Sequence, residues 1–301
     1  MKKKIYIAGA GGMLGEAFYS KFKDDYQLKC TDIDLNDDWL DFLDFRKLRE
    51  YYEDVYKFNP DFLFHIGAHT SLEYCELNPD DAYSTNTMSV ENAVYISNIL
   101  NIPLLYISTA GIFDGKKQSY DDWDAPNPLG VYARSKYMGE NFVMQNSNKH
   151  LICRAGWMMG AGPKKDKKFI QKLMNQIKSG CKELFIVNDK DGTPTYTHDF
   201  ALTVKKLIEN EYWGLYNCVC GGQTSRLEVA KELLKILNKE NEIKISEVDS
   251  SYFNDVYFAE RPPSERLINK KLELRGINVM RDWKVALKEY LEGYYKNYLD
   301  N

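Results

Sequence analysis

Short apolar runs alternate along the chain with longer segments of helical periodicity. "KIYIAGA" near the N-terminus is strand-like, and "MLGEAFYSKF" after it is helical. "YQLKCTD" is a second strand, and "DFRKLREYYEDVYKF" is a helix for which Asp44 is the expected N-cap. "PDFLFHIGA" gives a third strand, entered through Pro60, where a strand can begin. "DDAYSTNTMSVENAVYISNIL" reads as one long helix, "IPLLYIST" as a strand, "VYARSKYMGENFVMQN" as a helix and "LICRAGW" as a strand. This alternation predicts an α/β fold with a doubly wound parallel sheet and right-handed crossovers.

The rhythm changes after Trp157. "KKFIQKLMNQIKSG" predicts a helix ended by Gly180, "ELFIVND" a strand, and "GTPTYTHDFALTVKKLIEN" a loop leading into a helix capped by Asp199. "GLYNCVC" is strand-like, and "SRLEVAKELLKIL" is a helix opened by a Ser225/Glu228 capping box. The tail contains "RPPSERLINKKLELRG" and the amphipathic "WKVALKEYLEGYY".

Composition narrows the classes. The 301 residues are 44% hydrophobic and 28% charged, which predicts a packed core rather than disorder. A net charge of −4, with both signs interspersed, argues against nucleic acid as the main partner. No apolar run approaches the roughly 20 residues of a bilayer span, and "IYIAGAGGMLG" breaks into glycines too early for a signal peptide. Cys30, Cys75, Cys153, Cys181, Cys218 and Cys220 form no CxxC pair, so reduced thiols and a cytoplasmic location are expected. Four histidines in no ligand spacing predict no metal site.

"IAGAGGMLG" places Gly9, Gly12 and Gly15 between the first strand and the first helix. Glycines there permit a tight turn and close approach to a pyrophosphate, which the helix N-terminus then favours electrostatically. A glycine triplet alone also fits an ordinary strand-to-helix turn. Its place after the first strand, with Asp32 ending the next, predicts dinucleotide binding through the adenine-ribose diol. A carboxylate at Asp32 repels a 2′-phosphate, and no Arg or Lys follows the loop to attract one. NADH is therefore expected over NADPH.

Tyr132 and Lys136 stand four residues apart in a helical segment and so share a face. Alone they would read as a packing tyrosine and a snorkelling lysine. Beside a nucleotide loop they read as a catalytic pair. A buried ammonium would stabilise phenolate and lower the phenol's pKa from its usual value of about 10, allowing proton exchange with a substrate oxygen.

Taken together, these motifs resemble the dTDP-4-dehydrorhamnose reductase family of the extended short-chain dehydrogenase/reductase superfamily, over nearly the whole length. "GAGGMLG" is similar to its GxxGxxG loop, "LDFLD" to the segment before its second helix, and "NPDFLFHIGAHTSLEYCE" to its third strand and following loop. "STAGIFDG" resembles its STDxxFDG strand end, and "PLGVYARSKYMGE" its Tyr/Lys helix. "CRAGW", "DGTPTYTHDFA" and "AERPPSERLINKKL" match later parts. The resemblance implies a Rossmann-type dinucleotide-binding domain over 1–157, rejoined by about 195–222, with a smaller C-terminal substrate-binding lobe from 158–194 and 223–301. It further implies Thr109 on the substrate carbonyl, Tyr132 as general acid and Lys136 on the nicotinamide ribose. Gly9, Gly12, Met13, Leu14, Asp32, Asp41, Phe42, Ala68, His69 and Thr70 would surround the dinucleotide, and Trp157 with Ala110 would meet a nucleotide sugar. His69 by its chemistry alone is a strand-end histidine, and only the resemblance places it beside a cofactor. A homodimer is the oligomer the family suggests.

The family carries an acidic residue and a tyrosine after its Thr, where this chain has Ala110 and Gly111. Lys190 stands where a glutamine is usual. These departures leave hydride-transfer chemistry intact and bear on substrate identity. The expected activity is reduction of a nucleotide-linked 4-keto-6-deoxy sugar. The rivals are an epimerase or dehydratase on the same scaffold, and a non-catalytic regulatory subunit.

Overall fold

The computed structural model describes residues 2–299. Among these, seven parallel strands form one sheet. Six are β1 (Lys4–Ala8), β2 (Gln27–Asp32), β3 (Leu40–Phe42), β4 (Phe62–His65), β5 (Leu104–Thr109) and β6 (His150–Ala155). The seventh, Gly214–Asn217, pairs with β6, and the order across the sheet is Gly214–Asn217, β6, β5, β4, β1, β2, β3. Both faces are covered, which accounts for the near-continuous apolar runs. Alternate residues enter opposite cores. Ile5 and Ile7, Leu105 and Ile107, and Leu151 and Cys153 face one side, while Tyr6, Leu63, Tyr106 and Ile152 face the other. Helix α1 (Met13–Phe22) and the Thr197–Glu209 helix close the first face through Phe18, Phe22 and Phe200. The second is closed by α2 (Leu48–Phe58), the Ser89–Leu100 helix and the Val131–Asn146 helix.

Three local readings differ from expectation. Asp44 does not cap α2, whose N-cap is Lys47. Its carboxylate instead takes Arg46 through the backbone N–H (3.1 Å) and the guanidinium (2.8 Å). Asp199 does not cap its helix either, because Arg281 captures its carboxylate from 82 residues away. The long helix is interrupted by a π-helical turn, Ser84–Met88, where Asn86 and Thr87 are buried against the Val131–Asn146 helix. The Ser225/Glu228 capping box forms as expected. No helix among the described residues is long and apolar enough to cross a membrane, and the six cysteines are unpaired.

Beyond β6 lie small sheets rather than one large one. Trp157–Met159 pairs with Pro194–Tyr196, Glu183–Val187 with Lys244–Val248, and Asp191–Gly192 with both Thr224–Ser225 and Ser264–Glu265. They bring Trp157, Arg226 and Glu265 toward the carboxyl end of β5.

Candidate functional site

The carboxyl ends of β1, β2, β4 and β5 make one crevice, the usual binding edge of a doubly wound sheet. Gly9 takes a left-handed backbone (φ 84°), and a Cβ built there would lie 2.2 Å from Gly67 Cα. Only glycine allows that turn. Above Gly12, the N-cap of α1, a Cβ would meet nothing within 4 Å, so the loop faces open space with the helix N-terminus aimed into it. Met13 and Leu14 begin that helix.

Asp32 ends β2 and accepts from Gly11 N–H at 2.8 Å and Asp34 N–H at 2.9 Å. Each carboxylate oxygen keeps a lone pair for a ribose hydroxyl. Asp41 and Phe42 lie on β3 in register with Thr31 and Asp32. Both are largely exposed, and Lys29 is 3.8 Å from Asp41.

Ala68, His69 and Thr70 follow β4. The His69 ring turns to Asp81, at 2.7 Å, while its backbone is clasped by Asn86, whose Oδ1 accepts its N–H (2.8 Å) and whose Nδ2 donates to its carbonyl (3.1 Å). Lys168 donates to the Thr70 carbonyl (2.9 Å) and hydroxyl (2.8 Å). An open glycine loop, a helix N-terminus and a strand-end carboxylate fit a dinucleotide of the NAD(P) type.

At the end of β5, Thr109 and Tyr132 meet. The Thr109 hydroxyl accepts from Gly111 N–H at 3.2 Å and lies beside the Tyr132 phenol, where it favours loss of the phenol proton. Lys136 lies one turn further along the helix, 4% exposed, with its ammonium 4.3 Å from the Tyr106 ring centroid. The expected lowering of the Tyr132 pKa does not occur here. Burial pushes the phenol up to about 12, opposed by the Thr109 hydroxyl, so it holds its proton at neutral pH. Lys136 carries the perturbation instead, pushed down to about 7 by burial and only partly restored by Glu140.

A profile of the RmlD substrate binding domain matches residues 2–296. The chain belongs to this family. Its relatives include the spore coat polysaccharide biosynthesis protein SpsK of Bacillus subtilis, 29% identical over 96% of this chain and 97% of that protein. The crystal structure of dTDP-4-dehydrorhamnose reductase from Bacillus anthracis in complex with NADP superposes with a TM-score of 0.88. It is 28% identical and covers 97% of this chain and all of that one. The beta subunit of methionine adenosyltransferase 2 from Bos taurus is 24% identical over 96% of this chain and 87% of that protein. The RmlD-family chain therefore has both reductases and a named subunit of another enzyme among its kin.

Several residues of the site are ones to which the sequence assigned no role. Asn86 ties the loop after β4 to the Val131–Asn146 helix through Ser135 (3.0 Å); its only trace is the polar "STNT" inside an otherwise periodic helix. The Glu76 carboxylate accepts Val131 N–H at 2.7 Å, holding the first turn that carries Tyr132. Glu140 and Arg154 form a buried ion pair beneath Lys136. The neighbours of Trp157 were unforeseen. Its Nε1–H donates to Glu265 at 2.7 Å, and the Arg226 guanidinium stacks 3.7 Å from its ring centroid. Lys190 donates to the Arg261 carbonyl at 3.2 Å.

The buried Lys136 makes a testable demand on stability. Its folded pKa lies below its unfolded value, so the unfolded chain binds the extra proton and stability rises with pH from about 7 to about 10.5. Lys136→Met is expected to stabilise the cofactor-free protein at pH 7 by on the order of 3 kcal/mol. The gain should vanish as pH approaches 10.5, the ordinary lysine value. Urea melts of both proteins across this range check it, and a constant difference would refute the assignment.

Proposed function

We propose that the chain is an NAD(P)H-dependent reductase of a nucleotide-linked 4-keto-6-deoxy sugar, of the dTDP-4-dehydrorhamnose reductase type. The observation that carries this reading is the convergence of Thr109 and Tyr132 on Gly111 beyond β5, with Lys136 buried one turn further along the Tyr132 helix.

Gly9, Gly12, Met13 and Leu14 would hold the pyrophosphate, Asp32 the adenine ribose, and Asp41, Phe42, Ala68, His69 and Thr70 the crevice walls. Lys136 would donate to the nicotinamide ribose hydroxyls. A bound reduced nicotinamide supplies hydride to the ketone carbon. Thr109 orients the ketone oxygen, and Tyr132 protonates it, leaving a secondary alcohol. Trp157 would face the sugar nucleotide, within a substrate lobe expected from 158–194 and 223–301, while Ala110 is buried in an apolar cluster with Ile112 and Phe113 and could shape that site only from behind. Asp32 favours NADH, since a 2′-phosphate on the ribose it would hold would meet its carboxylate.

A second reading, a non-catalytic regulatory subunit, is favoured by the likeness to the methionine adenosyltransferase beta subunit. Incubation with a dTDP-4-keto-6-deoxy sugar and NADH separates the two. Stoichiometric loss of reduced-nicotinamide absorbance supports the reductase. No turnover, together with co-purification of a catalytic partner, supports the subunit. An epimerase would recycle its cofactor and show no net oxidation.

A further inference from the structure

We propose that Glu265 is a specificity-determining residue, accepting a hydrogen bond from a donor substituent on a carbon next to the reacting ketone. This rests on the reductase reading above.

The geometry begins at Gly111. A Cβ built there would lie 3.4 Å from Glu265 Oε1, 3.6 Å from Thr109 Oγ1 and 3.9 Å from Tyr132 Cε1. One methyl-sized space therefore touches both residues of the reacting end and a carboxylate from a distant segment. A side chain at position 111 would fill that space. Glycine leaves it to substrate.

Glu265 is held for this task. It ends a short strand, Ser264–Glu265, in register with Asp191–Gly192. The next residue, Arg266, anchors the segment through Asp191 at 3.0 Å and the Thr224 carbonyl. Glu265 Oε2 accepts Trp157 Nε1–H at 2.7 Å, and the Arg226 guanidinium lies over the indole, 3.7 Å from its ring centroid. Only Oε2 is engaged in hydrogen bonding, so Oε1 presents its full acceptor capacity to the space beside Thr109 and Tyr132. An ionised carboxylate cannot donate, so the group that fills this space must. A sugar hydroxyl or a protonated sugar amine meets that requirement, whereas a deoxy carbon would leave a partly buried carboxylate oxygen unpaired.

The test compares dTDP-4-keto-6-deoxy sugars carrying a hydroxyl, hydrogen or amine at the carbon adjacent to the ketone, with NADH as reductant. Wild-type protein should prefer a donor-bearing substrate over the deoxy one. Whether hydroxyl or amine leads identifies the donor, since an ammonium makes the stronger charge-assisted bond. Glu265→Gln is the decisive variant. Its single amide oxygen is taken by Trp157, which leaves an NH2 facing the substrate and turns the acceptor into a donor. The kcat/KM preference for the donor-bearing substrate should fall about 10- to 100-fold. Glu265→Asp, which keeps a carboxylate, should retain the preference in sign, and NADH fluorescence titration with thermal melting reports that each variant is folded.

If Glu265 merely anchors Trp157, the Gln variant keeps the wild-type preference, and the inference is overturned while the reductase reading stands. A wild-type protein that turns over neither donor-bearing substrate faster than the deoxy one overturns it in the same way. A wild-type protein that oxidises NADH with none of the three overturns both.

Discussion

Tyr132→Phe is expected to lower turnover about 10²- to 10⁴-fold while leaving NADH binding intact. The substitution removes one oxygen and keeps the ring, so packing beside Thr109 survives. What disappears is the hydroxyl proposed to give the proton. Burial holds that phenol's pKa up to about 12, so wild-type Tyr132 is protonated across the neutral range and ready to donate. Losing the phenol oxygen should change stability by only about 1 kcal/mol. Initial rates with a nucleotide-linked keto sugar, alongside fluorescence titration of NADH, measure the two effects separately. Undiminished turnover would remove Tyr132 from the mechanism.

The largest stability effect is expected one turn further along the same helix. Glu140 is fully buried and receives Arg154 Nε at 3.0 Å and Nη2 at 2.6 Å, while Arg154 is 2% exposed. Arg154 Nη1 has no hydrogen-bond partner, so Glu140 supplies the compensation for a guanidinium otherwise left to the ring of Phe113, 5.2 Å away. Glu140→Ala should cost about 3–5 kcal/mol, because it strands a buried charge rather than deleting a contact. In thermal melting that is a drop on the order of 10 °C. The double variant Glu140→Leu with Arg154→Met should recover most of the loss, since both charges leave together. A single-variant loss below about 1 kcal/mol would show that the pair is not desolvated as its burial indicates. Glu140 also supports the Lys136 charge, so the same variant should push the lysine pKa further down.

Much of the fold was legible locally because its signals are local. Two-residue alternation in "KIYIA" places Ile5 and Ile7 in one core and Tyr6 and Ala8 in the other, and the Ser225/Glu228 box forms within one helical turn. Misreadings arose where a distant or charged partner outcompeted a local one. Asp199 has the right chemistry for a cap, yet an Arg281 fork binds it more strongly than one backbone N–H. Asp44 is drawn to Arg46 in the same way. The three residues of β3 are too few for a periodic signal and form a strand only because β2 lies beside them.

The same division runs through the site. Gly9, Asp32, Tyr132 and Lys136 are set by spacing along single elements, which the order of residues alone determines. Tertiary structure decided who meets them. Glu76 caps the Tyr132 helix from 55 residues away, and Glu265 reaches Trp157 across 108. It also decided the electrostatics, since desolvation depends on what the crossovers stack over a group and not on its neighbours in the chain. Burial thus raises the phenol and lowers the ammonium, where spacing alone had predicted that the ammonium would lower the phenol.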